Sequence, residues 1–185
     1  MNIDNIPKEL TLLPQWVCHN KSKVPYQPNG LNAKTNNPTT WSKLTDCVKA
    51  LANTSIPNCS GIGFVFTSED PYIGIDCDGC LKDGKLNPFV EELVEFCNSY
   101  TEVSPSGTGI HIIIRGKLPD GFRNKQSMVN QGFKALEVYD HSRYFTMTGI
   151  PLEEASRISE VNLSKFQFGE SKTQNSNAIP EILSD

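Results

Sequence analysis

Apolar residues recur at every second position in several short segments of the chain, and this pattern predicts strands. Residues 10–17 form a first strand or the approach to one, and runs rich in aromatic and β-branched residues follow. These further predicted strands cover residues 61–67, 72–78, 110–115, 134–139 and 143–148. The connection at residues 68–71 is short and rich in turn formers, so the strands on either side of it are predicted to form a hairpin.

Two other segments have the spacing of helices. Residues 44–51 carry apolar side chains at helical intervals, and Thr40 or Ser42 can cap the helix that they predict. Residues 88–100 predict a second, amphipathic helix. Residues 21–40 are rich in Pro, Asn, Gly and Thr and predict a long ordered loop. Strands interleaved with a few helices indicate an α+β fold, with a mixed or antiparallel sheet and flanking helices.

The length and composition favour one domain and a tail. A chain of 185 residues can bury a substantial core. We predict that residues 1–165 form this domain and that residues 166–185, which turn polar, are a linker to further domains. No apolar run approaches the ~20 residues that span a bilayer. The N-terminus lacks the layout of a secretory signal. We therefore expect a cytoplasmic protein with no membrane partner.

Cysteines and charge change this interpretation only slightly. The six cysteines are scattered, and only Cys77 and Cys80 approach a metal-binding spacing, without a second pair to complete a zinc site. We predict reduced thiols with structural roles, and Cys77 should point into the core. The net charge of −4 argues against a protein that coats nucleic acid. Residues 103–149, however, carry six basic and three acidic residues. This mild basicity suits a site for metals and phosphates, or a solvated loop.

Asp76 and Asp78 are the first candidate site. On a strand, residues i and i+2 point to the same face about 6–7 Å apart, so these two carboxylates project side by side. Gly74 shares their face and is expected to leave space next to them. Two carboxylates this close repel each other unless a cation lies between them, and hard oxygen ligands suit Mg²⁺ or Mn²⁺. The alternative is a solvated pair where the strand enters the loop at Gly79.

Residues 104–111, with the sequence SPSGTGIH, form the second candidate element. Small residues and glycines leave backbone N–H groups accessible to a phosphate. His111 begins the next strand on its more polar face, which it shares with Ile113 and Arg115. The alternative for His111 is a satisfied histidine at a sheet edge.

Glu137 is the third candidate, because it lies between apolar neighbours in a short predicted strand. It shares a face with Ala135 and Tyr139. If this strand lies across from the aspartate strand, three carboxylates converge and can serve two metal ions ~3.5–4 Å apart. The alternative is that Glu137 is simply exposed.

Together these motifs resemble the bifunctional primase-polymerase domains of phage and plasmid replication proteins, within the archaeo-eukaryotic primase superfamily. That superfamily has an hxDxD strand, a small-residue loop that ends in His, and a strand ending in Glu or Asp. Here the three motifs are residues 73–78, 104–111 and 135–137, in the same order and at similar spacing. Flanking matches extend the resemblance from about residue 16 to residue 149, and they are KVPY at 23–26, Trp41, GIGF at 61–64 and RYFTMTG at 143–149.

The resemblance implies the fold of a primase catalytic core, which has an RRM-like palm and an N-terminal α/β module. It also implies the roles of particular residues. The metal ligands for two Mg²⁺ or Mn²⁺ ions would be Asp76, Asp78 and Glu137. The nucleotide would be bound by Ser104, Ser106, Gly107, Thr108, His111, Arg143, Tyr144 and Lys23. Tyr144 is a candidate for choosing between ribose and deoxyribose, or a packed strand aromatic, and Lys23 is a phosphate ligand or a solvated loop lysine.

The function implied by the resemblance is template-dependent nucleotidyl transfer by two metal ions, as a DNA polymerase, a primase or both. The substrates would be a dNTP or NTP and single-stranded or primed DNA, with phosphate contacts from Lys117, Arg123, Lys125 and Lys134. Related proteins suggest a phage, plasmid or bacterial host origin and a following helicase, and we expect this fragment to be a monomer.

Two other classes of function stay open. A nuclease or nicking initiator also gathers carboxylates, but it usually needs a pair of neighbouring histidines. His19, His111 and His141 form no such pair in the sequence. The other alternative is a metal-dependent nucleotide-binding module that regulates without catalysis.

Overall fold

The computed structural model describes residues 1–53, 59–153 and 157–168, and within them the chain forms antiparallel sheets with few helices. The greater part of the predicted linker, residues 169–185, lies outside the described residues. In chain order the strands are β1 (Trp16–His19), β2 (Pro25–Tyr26), β3 (Gly61–Phe66), β4 (Tyr72–Asp78), β5 (Leu81–Lys82), β6 (Lys85–Leu86), β7 (Thr101–Val103), β8 (Ile110–Arg115), β9 (Lys125–Ser127), β10 (Ala135–Tyr139) and β11 (Arg143–Met147). The α-helices are α1 (Lys8–Thr11), α2 (Leu44–Ala52) and α3 (Pro88–Cys97).

Two larger sheets organise the molecule. The first sheet has the strand order β11-β3-β1-β2, and the second has the order β7-β8-β4-β10-β9. All pairings between neighbouring strands are antiparallel. An α+β arrangement with antiparallel sheets is therefore observed, as the sequence pattern predicts. A separate small hairpin joins β5 and β6.

The predicted hairpin between β3 and β4 is wrong. Strand β3 pairs with β1 and β11 in the first sheet, whereas β4 pairs with β8 and β10 in the second. Both edges of each strand are thus occupied by other partners, and residues 67–71 carry the chain from one sheet to the other. Every residue of β3 is buried, which explains why its pattern does not reveal the sheet to which it belongs.

The helix ends also differ from prediction. Helix α2 begins at Leu44 without a side-chain cap, because the Thr40 hydroxyl bonds to loop carbonyls and Ser42 pairs with Trp16 through backbone hydrogen bonds. Helix α3 ends at Cys97, three residues earlier than predicted, because Asn98 adopts a left-handed conformation. Short strands such as β7 and β9 lie in segments for which the sequence pattern predicts no strand.

The two faces of the second sheet have different partners. One face carries the alternating isoleucines 110, 112 and 114 and packs against α3 in an apolar core that also contains Cys77. The predicted inward orientation of Cys77 is confirmed, and all six cysteines are free thiols. The other face, with Ile113, packs against Phe66 and Phe145 of the first sheet.

Gly74 lies at a point of close approach between the two sheets. A Cβ atom at this position would lie 2.5 Å from ring atoms of both Phe145 and Phe66. The expectation that Gly74 leaves space beside the aspartates is therefore wrong, since the space is filled by rings of the other sheet. The glycine instead lets the first sheet pack directly beside Asp76.

Among the residues that the structure describes, no helix is long and apolar enough to span a bilayer.

Candidate active site

Asp76 lies at the centre of three strands that bring the predicted motifs together. In the antiparallel register it is opposite His111 of β8 on one side and opposite Glu137 of β10 on the other. Asp78 is opposite Ala135, one pair further along the same face. Directly opposed residues have Cβ atoms about 4.5–5.5 Å apart. Alternation along β4 and β10 thus assembles the three acidic residues from motifs about 60 residues apart in the sequence.

The charge at Asp76 is held in an unfavourable environment. Its side chain is 30% exposed, and burial raises the pKa of its carboxyl. His111 opposes this effect, while the negative charges of Asp78 and Glu137 raise the pKa further. A cation bound between these carboxylates would relieve both the repulsion and the desolvation. Because the three carboxylates offer only oxygen atoms as ligands, they fit a hard divalent ion such as Mg²⁺ or Mn²⁺.

The other two acidic side chains are engaged by lysines. Asp78 forms an ion pair with Lys134, and Glu137 forms one with Lys125. Burial alone would raise the pKa of Glu137, but hydrogen bonds from Lys125 and Tyr139 lower it instead. In the described part of the chain, no three potential ligand side chains converge closely enough to form a metal site as they stand. A divalent ion held by all three carboxylates would have to displace the two lysine ammonium groups.

His111 is buried and held from several sides. Its Nε2 atom lies 3.9 Å from Asp76 Oδ1, and its ring packs against Phe145 with centroids 4.9 Å apart. Its Nδ1 atom lies 3.5 Å from Oε1 of Glu102, a fully buried carboxylate on β7. His111 thus lies buried near two carboxylates, on the face of β8 that packs against the first sheet. Glu102 was not identified from the sequence, because its three-residue strand is too short to show an alternating pattern.

A cleft of about 600 Å³ opens beside Asp76 and His111. Its walls come largely from β11 and from the segment that joins β1 to α2. The lining residues are Lys23, Pro25, Ala33, Lys34, Thr35, Asn36, Asp76, His111, Ser142, Arg143, Tyr144, Phe145 and Thr146. Four of them, Lys23, His111, Arg143 and Tyr144, are predicted nucleotide-binding residues. Asp76 and His111 therefore share the cleft with a basic wall, which carries the side chains of Lys23, Lys34 and Arg143.

Lys34 and its neighbours are the part of this wall that the sequence did not indicate. They lie in the predicted loop of residues 21–40, where a lysine carries no recognisable spacing. Thr35 anchors the loop, because its hydroxyl donates a hydrogen bond to the Ser142 carbonyl at 3.0 Å. Two lining residues, Lys23 and Ser142, have the positive φ angles 58° and 55°. Such backbone conformations in non-glycine residues often mark functional sites.

Tyr144 and Arg143 are both tied to neighbouring elements. The Tyr144 hydroxyl donates a hydrogen bond to the Lys23 carbonyl at 2.6 Å, and burial raises the pKa of this tyrosine to about 12. The guanidinium carbon of Arg143 lies 4.8 Å from the ring centroid of Tyr139, whose hydroxyl donates to Glu137. Tyr144 is therefore both packed and exposed to the cleft, and its role in sugar choice stays a prediction.

The predicted phosphate loop does not line the cleft. Ser104, Ser106 and Thr108 form a chain of hydroxyl contacts, 3.0 and 3.1 Å long, at the end of β4. Gly109 packs so closely on this end that a Cβ atom there would lie 3.4 Å from the Cα of Asp78. Ser106, Gly107 and Thr108 are exposed. They thus lie beside Asp78 and outside the lining of the cleft, and phosphate binding by them stays a prediction.

The four predicted template contacts divide into two groups. All four side chains are exposed. Lys125 and Lys134 form ion pairs with Glu137 and Asp78, whereas no ion pair is seen for Lys117 or Arg123 among the described residues. Template binding by these four residues stays a prediction.

Comparison with known proteins gives one informative match. No family model matches the chain. The chain is similar to a protein of Nitratiruptor phage NrS-1 named as a DNA primase-polymerase, with 36% identity in an alignment of 184 positions that covers 96% of the chain. The matched region makes up 25% of that phage protein, so the chain spans about a quarter of the length of this relative.

Proposed function

We propose that the chain is the catalytic domain of a primase-polymerase, which joins nucleotides on a DNA template as a polymerase, a primase or both. The similarity to the phage protein runs through 96% of the chain. The single observation that carries the proposal is the register of β4, β8 and β10. It sets Asp76 between His111 and Glu137, at the mouth of the cleft with the basic wall.

The acidic and basic sides of the cleft suit the two parts of a nucleoside triphosphate reaction. Asp76, Asp78 and Glu137 would hold one or two Mg²⁺ or Mn²⁺ ions. Such ions stabilise the charge that develops when a 3′-hydroxyl displaces pyrophosphate. Lys23, Lys34 and Arg143 would neutralise the triphosphate, with Arg143 offering two parallel N–H donors. His111 would contact the same phosphates through Nε2.

The cleft also has the size that the proposal requires. A volume of about 600 Å³ lies within the range of about 300–1,000 Å³ that small-molecule sites usually have. Tyr144 offers an aromatic surface against which a sugar can pack. Its hydroxyl is already used by the Lys23 carbonyl, so the ring is held in place before a ligand binds. Preorganisation of this kind lowers the entropy lost on binding.

A primer-extension assay tests the proposal. The protein is incubated with primed or unprimed DNA, with dNTPs or NTPs, and with Mn²⁺ or Mg²⁺. We expect extension of the primer, de novo products or both, and we expect Asp76→Ala to lower the rate about 100-fold or more, because metal charge stabilisation contributes several kcal/mol.

The control variant for this assay is Asp83→Asn, which removes one carboxylate from the exposed β5–β6 turn and should leave the rate unchanged. Absence of any product from the wild-type protein would contradict the proposal. So would a rate for Asp76→Ala equal to that of wild type.

Nucleotide binding without turnover is the second candidate function. The observation that favours it is the pairing of Asp78 with Lys134 and of Glu137 with Lys125, which leaves the carboxylates without a ready-made metal site. Titration calorimetry would then record metal-dependent dNTP binding by a protein that yields no product in the extension assay.

A further inference from the structure

Glu102 is a buried carboxylate with an unusually complete set of donors. It lies on β7, directly opposite His111 in the sheet, and its side chain is fully buried. The Tyr100 hydroxyl donates to Oε2 at 2.7 Å, and the Gly149 amide donates to the same atom at 2.8 Å. The Thr148 amide donates to Oε1 at 2.9 Å and approaches Oε2 at 3.1 Å. These contacts fix the plane of the carboxylate.

One buried atom next to this carboxylate lacks a hydrogen bond. His111 Nδ1 is buried and makes none with the described residues, yet Glu102 Oε1 lies only 3.5 Å away. A carboxylate accepts hydrogen bonds and cannot donate them, so Nδ1 must carry a hydrogen if it is to face Glu102 favourably. The opposite ring atom, Nε2, then faces Asp76 and the cleft.

We propose that Glu102 is a positioning residue, which holds Nδ1–H of His111 inward so that Nε2 meets the phosphates of a nucleotide in the cleft. The inference rests on the proposed function for the ligand that Nε2 contacts. The orientation of the ring rests on the Glu102–His111 geometry alone. Carboxylates that orient a functional imidazole in this way commonly affect binding without touching the ligand.

A purely structural role for Glu102 is the competing explanation. The carboxylate also anchors residues 148–149 at the end of β11, so its loss can weaken the fold without any effect on His111. The variant Glu102→Gln separates the two roles. Its amide oxygen can keep the Oε2 contacts to Tyr100, Gly149 and Thr148. Its NH₂ group then replaces Oε1, so that the 2.9 Å contact from the Thr148 amide is given up and a donor faces Nδ1.

The hydrogen on Nδ1 is therefore the decisive observable. Nitrogen-15 NMR of the imidazole in the full, metal-free chain should show a hydrogen on His111 Nδ1 in wild type and its loss in Glu102→Gln, with the hydrogen on Nε2 instead. Tyr100→Phe is the matched control, since it removes one donor from the same carboxylate and should leave Nδ1 unchanged. A wild-type spectrum without a hydrogen on Nδ1 overturns the proposal and needs no variant to fold.

Nucleotide binding provides the second readout. Calorimetry with a non-hydrolysable dNTP analogue and Mn²⁺ should show binding weakened about 5- to 20-fold in Glu102→Gln, as expected for contacting residues that act together. In the double variant with His111→Ala, binding should be no weaker than in His111→Ala alone. If the two losses multiply instead, Glu102 does not act through His111 and the proposal fails.

The experiments distinguish a failure of the proposed nucleotide site from a failure of the proposed role of Glu102. If His111→Ala binds the analogue as tightly as wild type, then His111 does not contact the nucleotide. The proposed role of Nε2 is then wrong, whatever the NMR spectra show. If His111→Ala weakens binding but Glu102→Gln changes neither the affinity nor the hydrogen on Nδ1, the nucleotide site stands and the role of Glu102 is refuted.

Discussion

Replacing Asp76 by Asn should stabilise the metal-free protein, although it should abolish metal binding at the site. Asp76 is the central acidic residue of its sheet, with Glu137 opposite and Asp78 two positions along the strand. The Asn side chain has nearly the same shape; it removes the charge and replaces one acceptor oxygen by an NH₂ group. A residue that is kept for ligand binding at the expense of stability is expected to behave in this way.

The magnitude follows from the spacing of the charges. Neighbours about 5–7 Å away interact by about 2–3 kcal/mol each at an effective dielectric constant near 20. Lys125 and Lys134 neutralise most of the charge on Glu137 and Asp78, and water screens the 30% of the Asp76 side chain that is exposed. We therefore expect a net gain of about 1 kcal/mol for the variant, which raises the Tm of a chain of this size by about 2–4 °C.

The pH dependence of this gain has a definite sign. The pKa of Asp76 is raised in the folded state above an unfolded value of about 3.9. Below pH ~4 both states hold the proton, so wild type and variant should be equally stable. As the pH rises, the unfolded chain releases its proton first, and wild type loses stability until the raised folded pKa is passed. The stability advantage of Asp76→Asn over wild type should therefore appear above pH 4 and persist at neutral pH.

Thermal unfolding in a chelating buffer, repeated with Mn²⁺, provides the measurement. Without metal, Asp76→Asn should melt above wild type at pH 7.5. With Mn²⁺, wild type should gain stability by mass action and the variant should not. Asp83→Asn controls for the loss of one negative charge and should follow wild type in both buffers. A variant that melts below wild type without metal would refute the electrostatic reasoning. If Mn²⁺ raised the Tm of Asp76→Asn as much as that of wild type, the metal would bind at a site without Asp76.

Two further predictions follow from contacts around the cleft. Lys134→Gln should tighten Mn²⁺ binding several-fold in calorimetry, because it removes the cation that competes for Asp78. An unchanged Mn²⁺ affinity would contradict the proposed set of metal ligands. Gly63→Ala should destabilise the fold by about 1–3 kcal/mol in urea unfolding, because its Cβ would meet the Tyr144 ring and lie 2.7 Å from the Phe145 carbonyl oxygen. An unchanged urea midpoint would show that β11 can shift to accommodate it.

The alternation of side chains along the strands predicted much of the acidic centre. It correctly places Asp76 and Asp78 on one face and Cys77 on the other. Glu137 was expected to join the aspartates only if its strand lay across from theirs, and the register of β10 and β4 meets this condition. Alternation does not show which strands pair with one another, or to which of the two sheets a strand belongs. The short turn before β4 has the composition of a hairpin, but the partners of β3 are decided by burial on both of its faces.

Glu102 shows a second limit of sequence reasoning. Strand β7 has only three residues, too few for a periodic pattern, so the segment reads as a loop. The burial of its carboxylate depends on the amides of Thr148 and Gly149, more than 40 residues away. Without those donors, a fully buried glutamate would be strongly unfavourable. Its role therefore becomes visible only when the long-range contacts are known.

The position of Gly74 explains why the acidic and basic halves of the cleft meet. The carboxylates belong to the second sheet, whereas Arg143 and Tyr144 belong to the edge strand of the first. A side chain at Gly74 would collide with Phe66 and Phe145 and push the two sheets apart beside Asp76. Because phosphate binding requires the basic wall to reach a ligand held by the carboxylates, this single absent Cβ is as important for the proposed chemistry as any charged residue. Gly74 lies in the same strand as the two aspartates, within the motif that first indicated the site.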